Sequence, residues 1–235
     1  MNKKFQIVVA DCPWAFSDKL EQSDVKRGAA ANYNTMTISQ IKAMDVKSVV
    51  DPNGAVLCLW VPSSLLQEGL DTMSAWGFKH KQTYIWVKNK KQILPDFISW
   101  IKKSILKHPQ IVYDKFAYDR AINSIIENLS KIDLENLLAF GMGRLFRQTH
   151  EICLIGTNNN KIYKLLKNKS QRSVSFGENL KHSAKPEHLQ NSLEIMFPGL
   201  NYLELFARRN KKGWTCLGNE VCNGEDINDS IKKLL

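Results

Sequence analysis

The chain predicts an α/β fold, an open sheet with helices packed against it. Three observations carry that expectation. Apolar runs of strand length recur along the whole chain, and stretches with apolar residues at helical spacing lie between them. With 235 residues and 43% hydrophobic content, there is material for one large core without disulfide or metal staples. The chain is therefore expected to be one domain over residues 1–235.

The elements follow in order. Residues 5–10 form the first buried strand, and Thr37-Ile38-Ser39-Gln40 carries the capping-box pattern that opens a helix through about Val49. Residues 55–61 give a second strand. Ser63 or Ser64 can cap the next helix, which carries Leu66, Leu70 and Met73 on one side and has Gly77 just past its end. Residues 82–87 and 151–156 are the third and fourth strands. Pro186 suits a helix first turn, and Leu189, Leu193 and Met196 follow at helical spacing. Residues 202–207 and 214–218 complete six or seven strands, and 227–234 can form a short final helix. Residues 92–139 interrupt the alternation. They carry helix-like patterns at 97–106 and 121–138 without a strand signal, so they are expected to be a helical insertion and a candidate target-recognition element. Residues 17–34 and 168–183 are polar and aperiodic, expected as long loops of the kind that carry function.

Charge narrows the partner. Lys plus Arg is 33 against 23 for Asp plus Glu, a net charge of +10. Such an excess favours a polyanion. Between residues 79 and 120 there are ten basic residues against three acids, and between 161 and 185 seven against Glu178 alone. No apolar run approaches the roughly 20 residues of a membrane span. The start, Met1-Asn2-Lys3-Lys4-Phe5, is interrupted by Gln6 and Asp11 too soon for a signal peptide, so a cytoplasmic protein without a membrane partner is expected. The cysteines, Cys12, Cys58, Cys153, Cys216 and Cys222, are odd in number and scattered, as reduced cysteines are. A zinc set of Cys216, Cys222, His182 and His188 has no usual ligand spacing, and no metal is expected.

The sharpest chemical signal is Asp11-Cys12-Pro13-Trp14, directly after the first strand. A carboxylate at a strand's C-terminal end faces the crevice where open α/β sheets bind ligands. Asp11 and the Cys12 carbonyl can accept the two hydrogens of an exocyclic amine. Pro13 stiffens the turn, and the Trp14 indole can stack on a purine. The competing reading is a strand-ending turn with a packed tryptophan.

This tetrapeptide resembles the Asp-Pro-Pro-Trp signature of the MT-A70 family of adenine methyltransferases, which includes the catalytic subunit of the mRNA adenosine enzyme and many bacterial and phage DNA enzymes. Further blocks resemble the family's in its order. They are Asn32-Tyr33-Asn34-Thr35-Met36, Leu57-Cys58-Leu59-Trp60-Val61, Ile85-Trp86-Val87-Lys88, His150-Glu151-Ile152-Cys153-Leu154-Ile155-Gly156, Lys185-Pro186-Glu187, Glu204-Leu205-Phe206-Ala207-Arg208 and Trp214-Thr215-Cys216-Leu217-Gly218-Asn219-Glu220.

The resemblance implies a Rossmann-like methyltransferase sheet with helices on both faces. Its order is permuted, the catalytic half first and the cofactor half last. It implies S-adenosyl-L-methionine as cofactor, with Asp11, Lys185, Leu205, Phe206, Arg208, Asn210, Asn219 and Glu220 around it. Lys185 would pair with the cofactor's carboxylate, and Glu220 would end the last strand and accept ribose hydroxyls. A glycine-rich phosphate fingerprint is missing, which suits a cofactor without phosphate. Asp11, Cys12, Pro13 and Trp14 would form the catalytic turn. Tyr33, Lys88, Arg144, Arg147 and His150 would meet the nucleic acid, DNA in preference to RNA. A homodimer or a second subunit stays open, and the alternatives to DNA methylation are the same reaction on RNA adenosine and a non-catalytic nucleic-acid-binding subunit with the same fold. Cys12 departs from the signature: any residue supplies the carbonyl, but proline's fixed φ is lost.

Overall fold

The computed structural model describes residues 3–15, 35–90, 99, 101–103, 115–130, 137–141, 143, 145–178, 184–222 and 224–235. They belong to two compact units, one of residues 1–86, 151–175 and 184–235, the other of residues 87–150 and 176–183.

Among the described residues there are seven strands: β1 Ile7–Ala10, β2 Val56–Val61, β3 Lys79–Asn89, β4 His150–Thr157, β5 Val174–Glu178, β6 Tyr202–Leu205 and β7 Trp214–Leu217. They form one mixed sheet in the order β5-β3-β4-β2-β1-β6-β7. β1 runs parallel to β2 and β6, β6 runs parallel to β7, and β4 pairs antiparallel to β2. This is the expected α/β, Rossmann-like architecture.

The two faces of the sheet are built by strand alternation. Val8 and Ala10 of β1, with Leu57, Leu59 and Val61 of β2, pack into one core. Ile7 and Val9, with Val56, Cys58 and Trp60, pack into another. Both faces of these central strands are apolar because both are covered. Helices α1 (Ile38–Lys42), α2 (Val46–Val49), α3 (Leu66–Ala75) and, after the last strand, α6 (Ile227–Lys232) cover the first face through Ile41, Val46, Val49, Met73, Ile227 and Ile231. The second face takes Leu189 and Leu193 of α5 (His188–Met196) and Ile162 from a 3-10 turn at Asn160–Leu165. Helix α4 (Lys115–Ser130) belongs to the second unit.

Several expectations shift. The helix expected from Thr37 to Val49 breaks in two. Its capping box is present, with Gln40 N–H on Thr37 Oγ1 and Thr37 N–H on Gln40 Oε1. The Ala43 N–H closes the first helix on Ser39 O, and Asp45 lies outside both pieces. Residues 168–183 are not all loop, because β5 lies within them at the sheet edge. Val174 and Phe176 alternate with Ser175 and Gly177, so no apolar run announces the strand. β3 is longer than 82–87, because its first residues are exposed lysines, a histidine and a glutamine. Of the pattern at 121–138, residues 121–130 lie in α4, while Leu138 instead bridges Asn89. Most of the 97–106 pattern and all of the 17–34 loop lie outside the described residues; residues 99 and 101–103 are helical.

In the second unit the backbone of residues 88–90 pairs with that of residues 137–139, through Ala139 N–H on Lys88 O (2.8 Å) and Lys90 N–H on Leu137 O (3.1 Å). Lys88 N–H also donates to Thr149 O at 2.8 Å. Gly141 and Gln148 form an antiparallel bridge that closes a hairpin.

Candidate active site

The site is assembled where β1 ends. Ala10 is in register with Leu205 of β6, and the Asp11 N–H reaches Leu205 O at 3.4 Å. From β1 the chain goes on to β2 on one side, while β6 lies on the other. This is a switch point, where open sheets leave a crevice at their carboxyl ends.

The turn after Asp11 is tied down by backbone and indole bonds. Trp14 N–H donates to Cys12 O at 2.9 Å, and Met36 N–H to Pro13 O at 2.8 Å. The Trp14 indole N–H donates to Trp60 O at 3.0 Å, and the ring is only 4% exposed, packed in the core. Trp14 thus clamps the turn to β2. A carbonyl oxygen has two lone pairs, and the Trp14 N–H takes one of those on Cys12 O. The Cys12 side chain is buried. Burial, with the Asp11 charge beside it, pushes its thiol well up, so it is no nucleophile at neutral pH.

Lys185 is the centre of the polar cluster. Its ammonium donates to both Asp11 oxygens, at 2.9 and 2.8 Å, and pairs with Glu151 Oε2 at 3.1 Å. It stands 5.6 Å from the centroid of the Trp60 ring. The Lys185 side chain is 13% exposed. Burial pushes its pKa down, but the Asp11 and Glu151 carboxylates outweigh this and hold it above the ordinary lysine value. Two carboxylates and one ammonium leave the cluster with a formal charge of −1. Glu204 on β6 is affected too. Burial first, and repulsion from Asp11 with it, raise its carboxyl pKa despite Gln190 and Arg209.

At the end of β6 the backbone is strained. Phe206 has φ +62°, in the left-handed region a bulky residue seldom enters. Such conformations persist only where the surroundings enforce them, and they cluster at functional sites. The enforcement here is visible. Ala207 N–H donates to Leu217 O at 2.8 Å, and Gly218 lies flat against the Phe206–Ala207 backbone. A Cβ on Gly218 would collide with Ala207 O and stand 2.7 Å from Ala207 N. Glycine is needed there for close approach.

The structure brings Asp11, Lys185 and Leu205 together, with Arg209 Nη2 on the Lys185 carbonyl at 3.2 Å. Arg208 is half-buried, while Asn210, Asn219 and Glu220 are exposed. β7 ends at Leu217, so Glu220 lies in the following turn and does not end the strand as expected. Lys88, Arg147 and His150 belong to the second unit, where the Arg147 guanidinium lies 4.6 Å from the Phe140 ring centroid. Tyr33, Arg144 and His182 lie outside the described residues. Among the described residues no group of three or more His, Cys, Asp and Glu is placed to hold a metal, and no helix is long and apolar enough to cross a membrane.

Sequence reasoning missed Glu151, Trp60 and Gly218 as parts of the site. For Glu151 the signal was an acid at the mouth of an apolar strand. For Gly218 it was a glycine at a strand's end.

The mixed seven-stranded sheet, with its switch point between β1 and β6, is that of a Rossmann-like methyltransferase. The chain belongs to the MT-A70 family, whose model matches residues 5–110 and 97–220. It is similar to the N(6)-adenosine-methyltransferase MT-A70-like protein of Arabidopsis thaliana, 22% identical over 231 residues, 97% of this chain and 25% of that protein. It is also similar to the type II methyltransferase M.MunI of Mycoplasma sp, 23% identical over 94% of this chain and 79% of that protein. To the human N(6)-adenosine-methyltransferase catalytic subunit METTL3 it is 21% identical over 93% of this chain and 28% of that protein. The chain thus spans about a quarter of the length of the plant and human relatives.

Proposed function

We propose that this protein transfers a methyl group from S-adenosyl-L-methionine to the exocyclic 6-amino group of adenine in DNA. The observation that carries the reading is the Asp11–Lys185–Glu151 cluster at the β1–β6 crevice. DNA is favoured over RNA because the chain matches the type II methyltransferase over most of both lengths, and the larger adenosine enzymes over only part of theirs.

The cluster suits the cofactor by charge. S-adenosyl-L-methionine carries an ammonium, a carboxylate and a sulfonium, net +1, against the −1 of the cluster. It offers a methyl group on a positively charged sulfur, and that electrophile is what it supplies. Asp11 can meet the ligand's cationic side, and Lys185 can exchange Glu151 for the ligand's carboxylate while keeping its two bonds to Asp11. The Phe206–Ala207 turn, Leu205, Arg208, Asn210, Asn219 and Glu220 would hold the remainder.

The chain's own residues would act on the amine. The nitrogen lone pair is delocalised into the purine ring, so the amine is a poor nucleophile. Asp11 and the second lone pair on Cys12 O would accept its two hydrogens and favour a pyramidal nitrogen. Each charge-assisted hydrogen bond of this kind contributes roughly 1.5–3 kcal/mol. Transfer is direct and in line, onto a base turned out of its stack. The positive charge growing on the nitrogen meets the Asp11 carboxylate, which is the first acceptor for the proton the amine then loses. Pro13 and Trp14 hold the Asp11–Cys12 turn rigid. Tyr33, Lys88, Arg144, Arg147 and His150 are assigned to the nucleic acid.

The test is transfer of a labelled methyl group by the purified chain to duplex DNA, single-stranded DNA and RNA, with the product nucleoside identified. Label on the 6-amino group of DNA adenine is expected. Label confined to RNA would move the substrate, and no transfer to any of the three would overturn the reading.

A further inference from the structure

The hairpin of the second unit carries an unusual tip. Leu145 is 93% exposed, Phe146 88% and Phe140 75%. Surface leucines and phenylalanines are ordinary one at a time, but three within seven residues, two of them adjacent, form a presented apolar edge. The backbone beneath the edge is closed. Gly141 bridges Gln148, and Gly143 sits so near the Phe146 carbonyl that any Cβ there would collide with it. Gly141 and Gly143 are thereby pressed against the backbone of Gln148 and Phe146.

The charge around the tip is of one sign. From Phe140 to Thr149 the sequence has Arg144 and Arg147 and no acid. The Arg147 guanidinium lies on the Phe140 ring, 4.6 Å from its centroid. That pairing makes a flat cationic platform of the kind on which bases stack. An apolar point with Arg147 beside it, on a chain of net charge +10, matches a polyanion with a stacked apolar interior.

We propose that Leu145 and Phe146 are a wedge that enters the base stack of duplex DNA. There they part a base step, while Arg147 and Phe140 engage the neighbouring strand. Wedges of this kind are apolar side chains that part a base step, with flanking cations holding the phosphates. The inference rests on the proposed methyl transfer and deepens it. A wedge serves only a stacked duplex, so the substrate class is double-stranded DNA. A single strand has no paired partner holding its base in the stack, so it can turn that base out without a wedge.

The test uses the full chain and the double variant Leu145→Ser/Phe146→Ser. Both side chains are exposed, so the fold does not depend on them. Unmethylated plasmid is offered as intact duplex and as heat-denatured strands, and labelled methyl transfer to each is measured. The ratio of duplex to single-strand transfer should fall about tenfold or more in the variant, since parting a base step costs a few kcal/mol. Phe146→Trp should keep the ratio near that of the wild type. An unchanged ratio in the double variant overturns the wedge.

A second readout needs no activity. Plasmid relaxed by a topoisomerase in the presence of the wild-type chain should carry a linking-number change that the double variant does not produce. No change with the wild type overturns the wedge. So does sedimentation showing that the wild type self-associates and the variant does not, because the tip is then a contact between protein copies. If no strand of any kind is methylated, the proposed reaction fails, while the linking number still reports on the wedge.

Discussion

Lys185 donates to both carboxylate oxygens of Asp11, at 2.9 and 2.8 Å, from a position 174 residues later in the chain. The bidentate contact fixes the Asp11 plane at the end of β1, and the pull of Glu151 on the other side of the ammonium stops Lys185 from following a single partner. A carboxylate aimed in this way can accept hydrogens from an amine without first reorganising, which is where electrostatic catalysis gains most.

The first prediction concerns Asp11 itself. Asp11→Asn keeps the shape and removes the charge, so methyl transfer should fall at least about a hundredfold, near 3 kcal/mol of transition-state stabilisation. Single-turnover kinetics at saturating cofactor measures it. A folded Asp11→Asn protein that turns over at close to the wild-type rate would remove Asp11 from the chemistry.

Lys185 is predicted to couple cofactor affinity and alkaline stability. Lys185→Met leaves Asp11 and Glu151 facing each other without their shared cation. Cofactor binding, followed by calorimetric titration, should weaken by at least about tenfold, since removing one charge-assisted hydrogen bond costs roughly 1.5–3 kcal/mol. The folded pKa of Lys185 is raised. Its contribution to stability is therefore complete below the unfolded lysine value, about 10.4, and is lost as pH rises through the higher folded value. The stability gap between wild type and Lys185→Met should be constant from neutral pH to about 10 and shrink above it. Thermal denaturation of both proteins across that range decides. A gap that closes below about pH 9 would contradict the assignment.

Much of this was legible in the sequence, for identifiable reasons. β1 and β2 are continuous apolar runs because both their faces are covered, and such runs stand out. Asp11 stood out because a carboxylate directly after such a run has few structural uses. What stayed hidden depends on pairing between distant segments. Glu151 acquires its role only when β4 lies antiparallel to β2 and Lys185 comes to it. Trp14 shows a stacking residue's type, yet its indole bond to Trp60 O gives it the buried, turn-holding place that was the competing reading. β5 was hidden by its polar alternate positions. The break between α1 and α2 had no Gly or Pro to announce it.

Gly218 is predicted to be intolerant of even one methyl group. Gly218→Ala places a Cβ against Ala207 O and near Ala207 N, and backbone has to move to admit it. Overpacking of this kind costs about 1–3 kcal/mol. The displaced atoms belong to the strained Phe206–Ala207 turn, so cofactor affinity should fall together with stability. Denaturant melts and cofactor titration on the same protein test both. A stable Gly218→Ala protein with wild-type affinity would show that the turn has no part in the site.

Trp14→Phe separates clamp from stacking platform. Phenylalanine keeps most of the buried ring and cannot form the bond to Trp60 O. Stability should fall by about 1–3 kcal/mol, the cost of leaving a buried acceptor unpaired. If the clamp is the whole role, transfer at saturating substrate should follow the integrity of the Asp11–Cys12 turn, with little change in affinity for nucleic acid. A large loss of nucleic-acid affinity at unchanged stability would instead give the ring to the base. Chemical denaturation and binding isotherms distinguish these outcomes.

The last prediction concerns the basic surface of the second unit. Lys102 and Lys103 are exposed on a helical segment. They lie in the stretch where ten cations stand against three acids. Lysines in such a place hold phosphate as point charges and read no sequence, so their removal should act alike on every DNA. The variant Lys102→Ala/Lys103→Ala should weaken binding to unrelated duplexes by the same factor. The slope of log affinity against log salt should flatten by roughly one unit for each phosphate that is no longer neutralised, about two at most. The alternative is that this segment packs against a second protein chain. In that case the variant would change its association state in sedimentation and keep its salt slope. A variant with neither change would exclude the two lysines from both roles and leave nucleic-acid binding by the second unit to Lys88, Arg147 and the hairpin.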